Sequence, residues 1–184
     1  VNNREREYIF ADLPDIGYST DIDTVMASSY QVKKQLQQIV KIEQPITNTL
    51  LYKRILRIWN LTRVTTRLQV FIDSLLEDAY KDPLSGDTII YWENKEKAKE
   101  CDFYRINSKR DILDIPILEV MSAARYAIEQ QISMPIEDLK RLTSQLLGFS
   151  RKGNNLDMVT EQTIQLLINK GIFSHANGMV SMNN

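Results

Sequence analysis

A chain of 184 residues, 43% hydrophobic and 26% charged, has the composition of a soluble globular protein with a core, in one domain or two small ones. Its 23 basic and 24 acidic side chains nearly cancel, so no bulk field draws it to nucleic acid or membrane and any anion-binding surface must be local. A lone cysteine, Cys101, excludes an internal disulfide and suits a reducing cytoplasm, and no apolar run approaches the roughly 20 residues that span a bilayer.

The start, "VNNRERE", is too charged for a signal peptide, and a first residue of valine reads as a piece cut from something longer, with a processed end as the alternative. Residues 1–27 mix charge with "YIF", "DLPDIG" and "STDID", turn chemistry without sustained period, and read as an N-terminal arm. Helical periodicity begins after an N-cap at Ser28 or Ser29, with Val32, Leu36, Ile39 and Val40 on one face. "EQPIT" ends that helix, because proline disfavours helix in the residue before it. Asn48 or Thr47 caps a second helix with Leu51, Ile55, Ile58 and Trp59 inward, and Asn60 follows its end, where a left-handed residue is usual. After "LTRV" a third helix carries Leu68, Phe71, Ile72, Leu75 and Ala79. The turn cluster "KDPLSGD" then leads to a strand "TIIYW" (88–92), the charged "ENKEKAKE" and a second strand "CDFYRI" (101–106). Three helices and then a hairpin is the order of a winged helix, whose corner lies between helices two and three.

The second half repeats that order. Ile117, Val120, Met121, Ala124 and Ile128 stripe one helix, and Pro135-Ile136 opens another as Pro45-Ile46 does. Gly148 stands where Asn60 stood, and Leu156, Val159, Ile164 and Leu167 mark a third helix that stops at Gly171. "IFSHANGMVSM" closes as a hairpin about Asn177-Gly178. The corner "NLTRVTTRL" (60–68) thus recurs as "GFSRKGNNL" (148–156), 88 positions on, whereas the Pro-Ile pair recurs after 90, which predicts a second helix two residues shorter in the second copy. The expected fold is mainly α with small β-hairpins, a tandem winged helix-turn-helix. It comprises an arm (1–27), a first domain (28–112) and a second (113–184), with Leu61 matching Phe149 and Leu68 matching Leu156, both pairs buried.

"IVKIEQPITNTLLYKRILRIWNLTR", "IPILEVMSAARYAIEQQ" and "LLGFSRKGNNL" resemble a domain of unknown function found near the C-terminus of large bacterial superfamily 1 DNA helicase-related proteins, often beside a very-short-patch-repair-type endonuclease domain. The likeness covers roughly residues 36–173. The family often has histidine where this chain has Thr47 and glycine where it has Asn60. The resemblance implies a context rather than an activity, because the family's helicase-related ATPase motors lie outside this region. It also implies the remaining domains of such a parent protein as partners.

The chain carries little for catalysis and implies no cofactor. It has no GxxxxGK[ST] phosphate loop, and lone His175 and Cys101 read as a structural or exposed imidazole and an inert thiol. A structural zinc site needs about four ligands, which these do not supply. Asp87, a strand and then Glu93-x-Lys95 echo magnesium nucleases, but on a small hairpin that lacks the sheet needed to aim two carboxylates at one metal; a solvated wing tip is the plainer reading.

Nucleic acid is the better-supported partner. No acidic residue lies between Glu43 and Asp73, whereas Lys53, Arg54, Arg57, Arg63 and Arg67 all do, on the second helix, corner and third helix that meet phosphates and the major groove in such folds. Thr65, Thr66 and Gln69 add base- or phosphate-bonding groups on the third helix. The expected wing contributes Lys95, Lys97, Lys99, Arg105, Lys109 and Arg110, largely offset by acids, and the second copy is weaker, with Lys140, Arg141, Arg151 and Lys152 beside Glu137, Asp138 and Asp157. Winged helices also serve as protein-docking modules, and Arg63 and Arg151, recurring in both copies, equally fit an internal ion pair or cap. The expectation is a non-catalytic, cytoplasmic DNA-binding accessory module, contacting DNA mainly through its first copy, with a protein-docking module as the alternative.

Overall fold

Short polar side chains start most helices of the computed structural model, which describes residues 2–183 and is mainly helical with small sheets. In chain order come β1 (Glu5–Glu7), α1 (Ile22–Ala27), α2 (Ser29–Glu43), β2 (Ile46–Thr47), α3 (Asn48–Ile58), α4 (Thr66–Leu75), β3 (Tyr80–Lys81) and β4 (Ile90–Trp92). Then follow α5 (Lys95–Lys99), β5 (Tyr104–Ile106), a 3-10 turn (Ile112–Asp114), α6 (Ile117–Glu129), β6 (Met134–Pro135), α7 (Ile136–Leu146), α8 (Asn154–Asn169), β7 (Phe173–Ala176) and β8 (Met179–Met182). Asp21, Thr47, Thr65 and Asn94 cap α1, α3, α4 and α5 by accepting a hydrogen bond from the third residue on, each such cap contributing about 1 kcal/mol. Ser28, by contrast, flanks α2 without a side-chain cap bond.

The chain forms two compact units. The first is Ile9–Glu100; the second joins Val1–Tyr8 to Cys101–Asn184. In the first unit, Val32, Leu36 and Ile39 of α2, Leu51 and Ile55 of α3, and Leu68 and Ile72 of α4 are fully buried against one another. Each contributes about 1.5–3 kcal/mol by leaving water. A sheet ordered β2-β4-β3, antiparallel throughout, closes one side, with Ile46 opposite Tyr91 and Tyr80 opposite Trp92. In the second unit, Ala124 and Ile128 of α6, Leu139 of α7, and Ile164 and Leu167 of α8 pack with Phe173 and Val180 of the antiparallel sheet β6-β8-β7. A further cluster gathers Tyr104, Ile112, Ile115, Val120 and Leu156.

Both units therefore run helix, short strand, two helices, hairpin, with the short strand beside the hairpin's second strand. From β2 to α4 the second unit follows the first at a constant offset of 88 (134 against 46, 154 against 66), and α3 and α7 are each 11 residues long. The expected shortening of the second helix is thus absent. The two prolines are not equivalent: Pro45 precedes β2, whereas Pro135 is the residue from which α7 starts. The two corners match bond for bond. Asn60 (φ 49°) and Gly148 (φ 92°) take the left-handed conformation, donating to the carbonyls of Arg57 and Gln145, while Leu61 and Phe149 donate to those of Leu56 and Ser144. These are the paired 5→2 and 6→1 bonds that close a helix with a left-handed residue. Leu68 and Leu156 are buried at equivalent places, but Leu61 and Phe149 are only half-buried.

Strands 88–92 and 101–106 do not form the expected hairpin. Both edges of β4 are already taken by β2 and β3, and α5 occupies the connection. β5 instead pairs in parallel with β1, Glu5 opposite Tyr104. That pairing divides residues 1–27 between units and sets the compact division at Glu100/Cys101, not at 112/113, because Tyr104, Ile112 and Ile115 pack on α6 and α8. Arg105 and Arg110, expected on a solvated wing, are buried: both bond the carboxylate of Glu119, itself fully buried on α6.

Candidate nucleic-acid interface

The corner of the first unit is where the sequence concentrates positive charge, and most of that charge is engaged internally. Arg54, on the α3 turn facing α2, forks onto Glu43, with Nε 3.1 and 3.0 Å from its two oxygens and Nη2 2.7 Å from Oε1. Glu43 is fully buried and also accepts the N–H of Ala11. Arg57, one turn on, donates from Nη2 to the Leu13 carbonyl at 2.8 Å, and the ring of Phe10 lies 4.5 Å from the Arg54 guanidinium and 5.2 Å from that of Arg57. Residues 9–20 thus run as a strap along α3, held further by Ile16 N–H to the Ile58 carbonyl, the Thr20 hydroxyl to the Trp59 carbonyl and the Asn60 amide to the Tyr18 carbonyl. From Asp12 to Val32 this segment carries four aspartates and no cation.

At the start of α4, Arg67 reaches Asp23 of α1 at 2.8 Å, both ends well exposed. Arg63 and Lys53 are exposed, and Arg63 makes no ion pair among the described residues. Thr65 is spent as the α4 cap, Thr66 is exposed and Gln69 is half-buried. The outermost stripe of α4, opposite Leu68 and Ile72, reads Thr66, Val70, Asp73 and Ser74, with Glu77 in the turn just past the helix, so two carboxylates are exposed along this side. Asp73 also accepts the Tyr52 hydroxyl at 2.6 Å; burial first, and then that carboxylate, push the Tyr52 phenol upward.

The second unit's corner differs. Arg151 and Lys152 are exposed and make no ion pair among the described residues, just before Gly153, which starts α8 without a side-chain cap. Opposite its buried Leu156, Thr160, Ile164 and Leu167, α8 exposes Asn155, Met158, Gln162, Gln165 and Asn169, spaced three and four apart on one stripe. No charged side chain lies on it. Three neighbouring acids share one cation from α7: Lys140, nearly buried, sits 2.6 Å from Asp157, 3.3 Å from Glu161 and 3.4 Å from Glu137. Desolvation opposes its charge, but the three carboxylates outweigh it and raise the Lys140 ammonium pKa. Arg141 is paired with Asp138 at 3.1 Å. The hairpin tip beyond α8 exposes His175, Ala176, Asn177 and Gly178. The amide stripe was open to sequence reading, since its period is complementary to that of the leucines. Lysine and arginine counts drew attention to the other corner instead.

Asp87 and Glu93 are both exposed, and Glu93 lies beside Gln44, which donates to it at 3.4 Å. Among the described residues, no three His, Cys, Asp or Glu side chains gather as a metal site, and no helix is long and apolar enough to cross a membrane. Cys101 is half-exposed.

The chain is, in class, a mainly helical protein of two units sharing one element order. A family model described as "Protein of unknown function (DUF3320)" matches residues 27–70, the span from α2 through the corner into α4. No curated protein and no solved structure matches the chain.

Proposed function

We propose that each unit is a winged helix-turn-helix and that the chain is a non-catalytic DNA-binding accessory module of a larger helicase- or nuclease-type protein. Supporting the fold reading is the shared order of three helices and a hairpin, with the short strand after the first helix joining the sheet. The parent context rests on the resemblance of residues 36–173. One observation carries the DNA reading: two uncommitted cations, Arg151 and Lys152, precede an uncapped helix whose outer stripe is free of charge. Helix N-termini attract phosphate, and the flanking cations add to that field. The main DNA contact therefore moves to the second unit. The first unit, with its cations tied to Glu43, Leu13 and Asp23, serves as support or docks to other domains.

The test is fluorescence anisotropy of residues 1–184 on a duplex across a salt series. Affinity should fall log-linearly with salt, and changing Arg151 and Lys152 together to alanine should flatten the slope by roughly 0.9 per lost contact. Arg63→Ala with Arg67→Ala should change it little. Wild-type binding that is absent at about 50 mM salt, or a loss that follows Arg63 and Arg67 instead, would overturn this assignment.

A further inference from the structure

The outer stripe of α8 has a chemistry that selects among bases. We propose that Asn155 and Gln162 read adenines in the major groove, with Met158 between them against a thymine methyl, so that the module prefers A·T-containing duplex. This rests on the reading that α8 is the helix that enters the groove. A neutral amide carries one acceptor and a two-hydrogen donor on one plane, which matches the adenine N6 donor and N7 acceptor. Guanine offers two acceptors at the same edge, O6 and N7, and leaves the amide oxygen unpaired.

The spacing fits. Seven residues along a helix cover about 10.5 Å, close to three base-pair steps of about 3.4 Å. The side chains of Asn155, Met158 and Gln162 make no hydrogen bond or ion pair with other described residues, so no internal partner has to be released. Met158 is 44% exposed although it is apolar. The two carboxylates nearest the stripe, Asp157 and Glu161, are turned to Lys140 at 2.6 and 3.3 Å, which offsets part of the repulsion that a phosphate backbone would otherwise meet. The corresponding face of α4 carries the exposed carboxylate of Asp73 and no exposed amide.

The experiment compares binding of residues 1–184 to duplexes of equal length built from A·T, G·C or inosine·cytosine pairs. Inosine·cytosine presents the guanine pattern in the major groove but lacks the minor-groove amino group. A·T duplex should bind about fivefold or more tighter than G·C, the discrimination expected of a bidentate contact. Inosine·cytosine should behave like G·C. Changing Asn155 and Gln162 together to alanine, a good helix former, should bring A·T affinity to within about twofold of G·C. Equal affinity for all three duplexes would overturn the proposal, as would inosine·cytosine tracking A·T or a preference that survives the double change, while DNA binding itself stands. No binding to any duplex would overturn the underlying functional reading as well.

Discussion

Replacing Glu119 with glutamine should destabilise the second unit by about 3 kcal/mol. Its carboxylate accepts five hydrogen bonds: from the Arg105 backbone N–H (3.0 Å), Arg105 Nε (3.0 Å) and Nη2 (2.9 Å), and Arg110 Nη1 (2.7 Å) and Nη2 (3.0 Å). All three side chains are buried, and Tyr8 stacks 4.8 Å from the Arg105 guanidinium and 4.3 Å from that of Arg110. Glutamine keeps the shape but takes the carboxylate charge from two buried guanidiniums and turns an N–H₂ toward N–H donors. Breaking a buried pair in this way costs about 3–5 kcal/mol. The acidity of the carboxyl gives the same scale. Burial would push the Glu119 carboxyl up, but Arg105 and Arg110 outweigh it and hold it at about 2, against an ordinary 4.5. That difference corresponds to about 3 kcal/mol. The stability is fully present above pH 4.5 and lost as pH falls toward 2, so the gap between wild type and Glu119→Gln should close over that window. Thermal melts at pH 7 should show a drop of roughly 12 °C or more for the affected transition. Hydrogen exchange should rise in residues 2–8 and 101–183 while 9–100 keep their protection. A variant within about 0.5 kcal/mol of wild type, or a loss confined to residues 9–100, would refute the reasoning.

Two further outcomes follow from the corners. Arg54→Ala should cost the first unit about 3 kcal/mol in urea unfolding, because the buried Glu43 carboxylate loses its guanidinium, whereas Arg63→Ala should fall within about 0.5 kcal/mol of wild type. Gly148→Ala should destabilise by about 1–2 kcal/mol in the same assay although open space surrounds the site, since φ +92° strains any Cβ-bearing residue. Asn60→Gly at the equivalent turn should be neutral or slightly stabilising apart from the loss of its bond to the Tyr18 carbonyl.

Local signals were legible in the sequence and long-range partners were not. The stripes Val32-Leu36-Ile39 and Leu68-Ile72 give α2 and α4, the left-handed residues Asn60 and Gly148 give both corners, and Asn177-Gly178 gives the last hairpin, because each depends on neighbours within a turn or two. The partner of "CDFYRI" depends on a strand about a hundred positions earlier, and "TIIYW" depends on a two-residue strand near Pro45. Nothing in the local pattern of either strand names those partners. Alternation located β5 but not its burial, since Tyr104 and Arg105 are both buried, one by packing and one by an ion pair.

The same distinction governs the candidate site. A basic stretch of sequence becomes a basic surface only where its cations lack internal partners, and here the partners are distant in sequence. Arg54 is matched by Glu43, Arg105 and Arg110 by Glu119, Arg4 by Asp102 and Glu129, and Lys140 by Glu137, Asp157 and Glu161. A chain of near-zero net charge that commits so many cations inward has few left for a ligand, so location outweighs number. The acid-free run from Gln44 to Ile72 ends with its α3 arginines under Phe10 and Leu13 and its α4 arginine on Asp23. The poorer-looking second corner keeps both of its cations and a helix face whose amides have no internal partner but Glu161, which Gln165 approaches at 3.4 Å. If base reading resides in this chain, it is the uncommitted groups of α8 that have the freedom to do it.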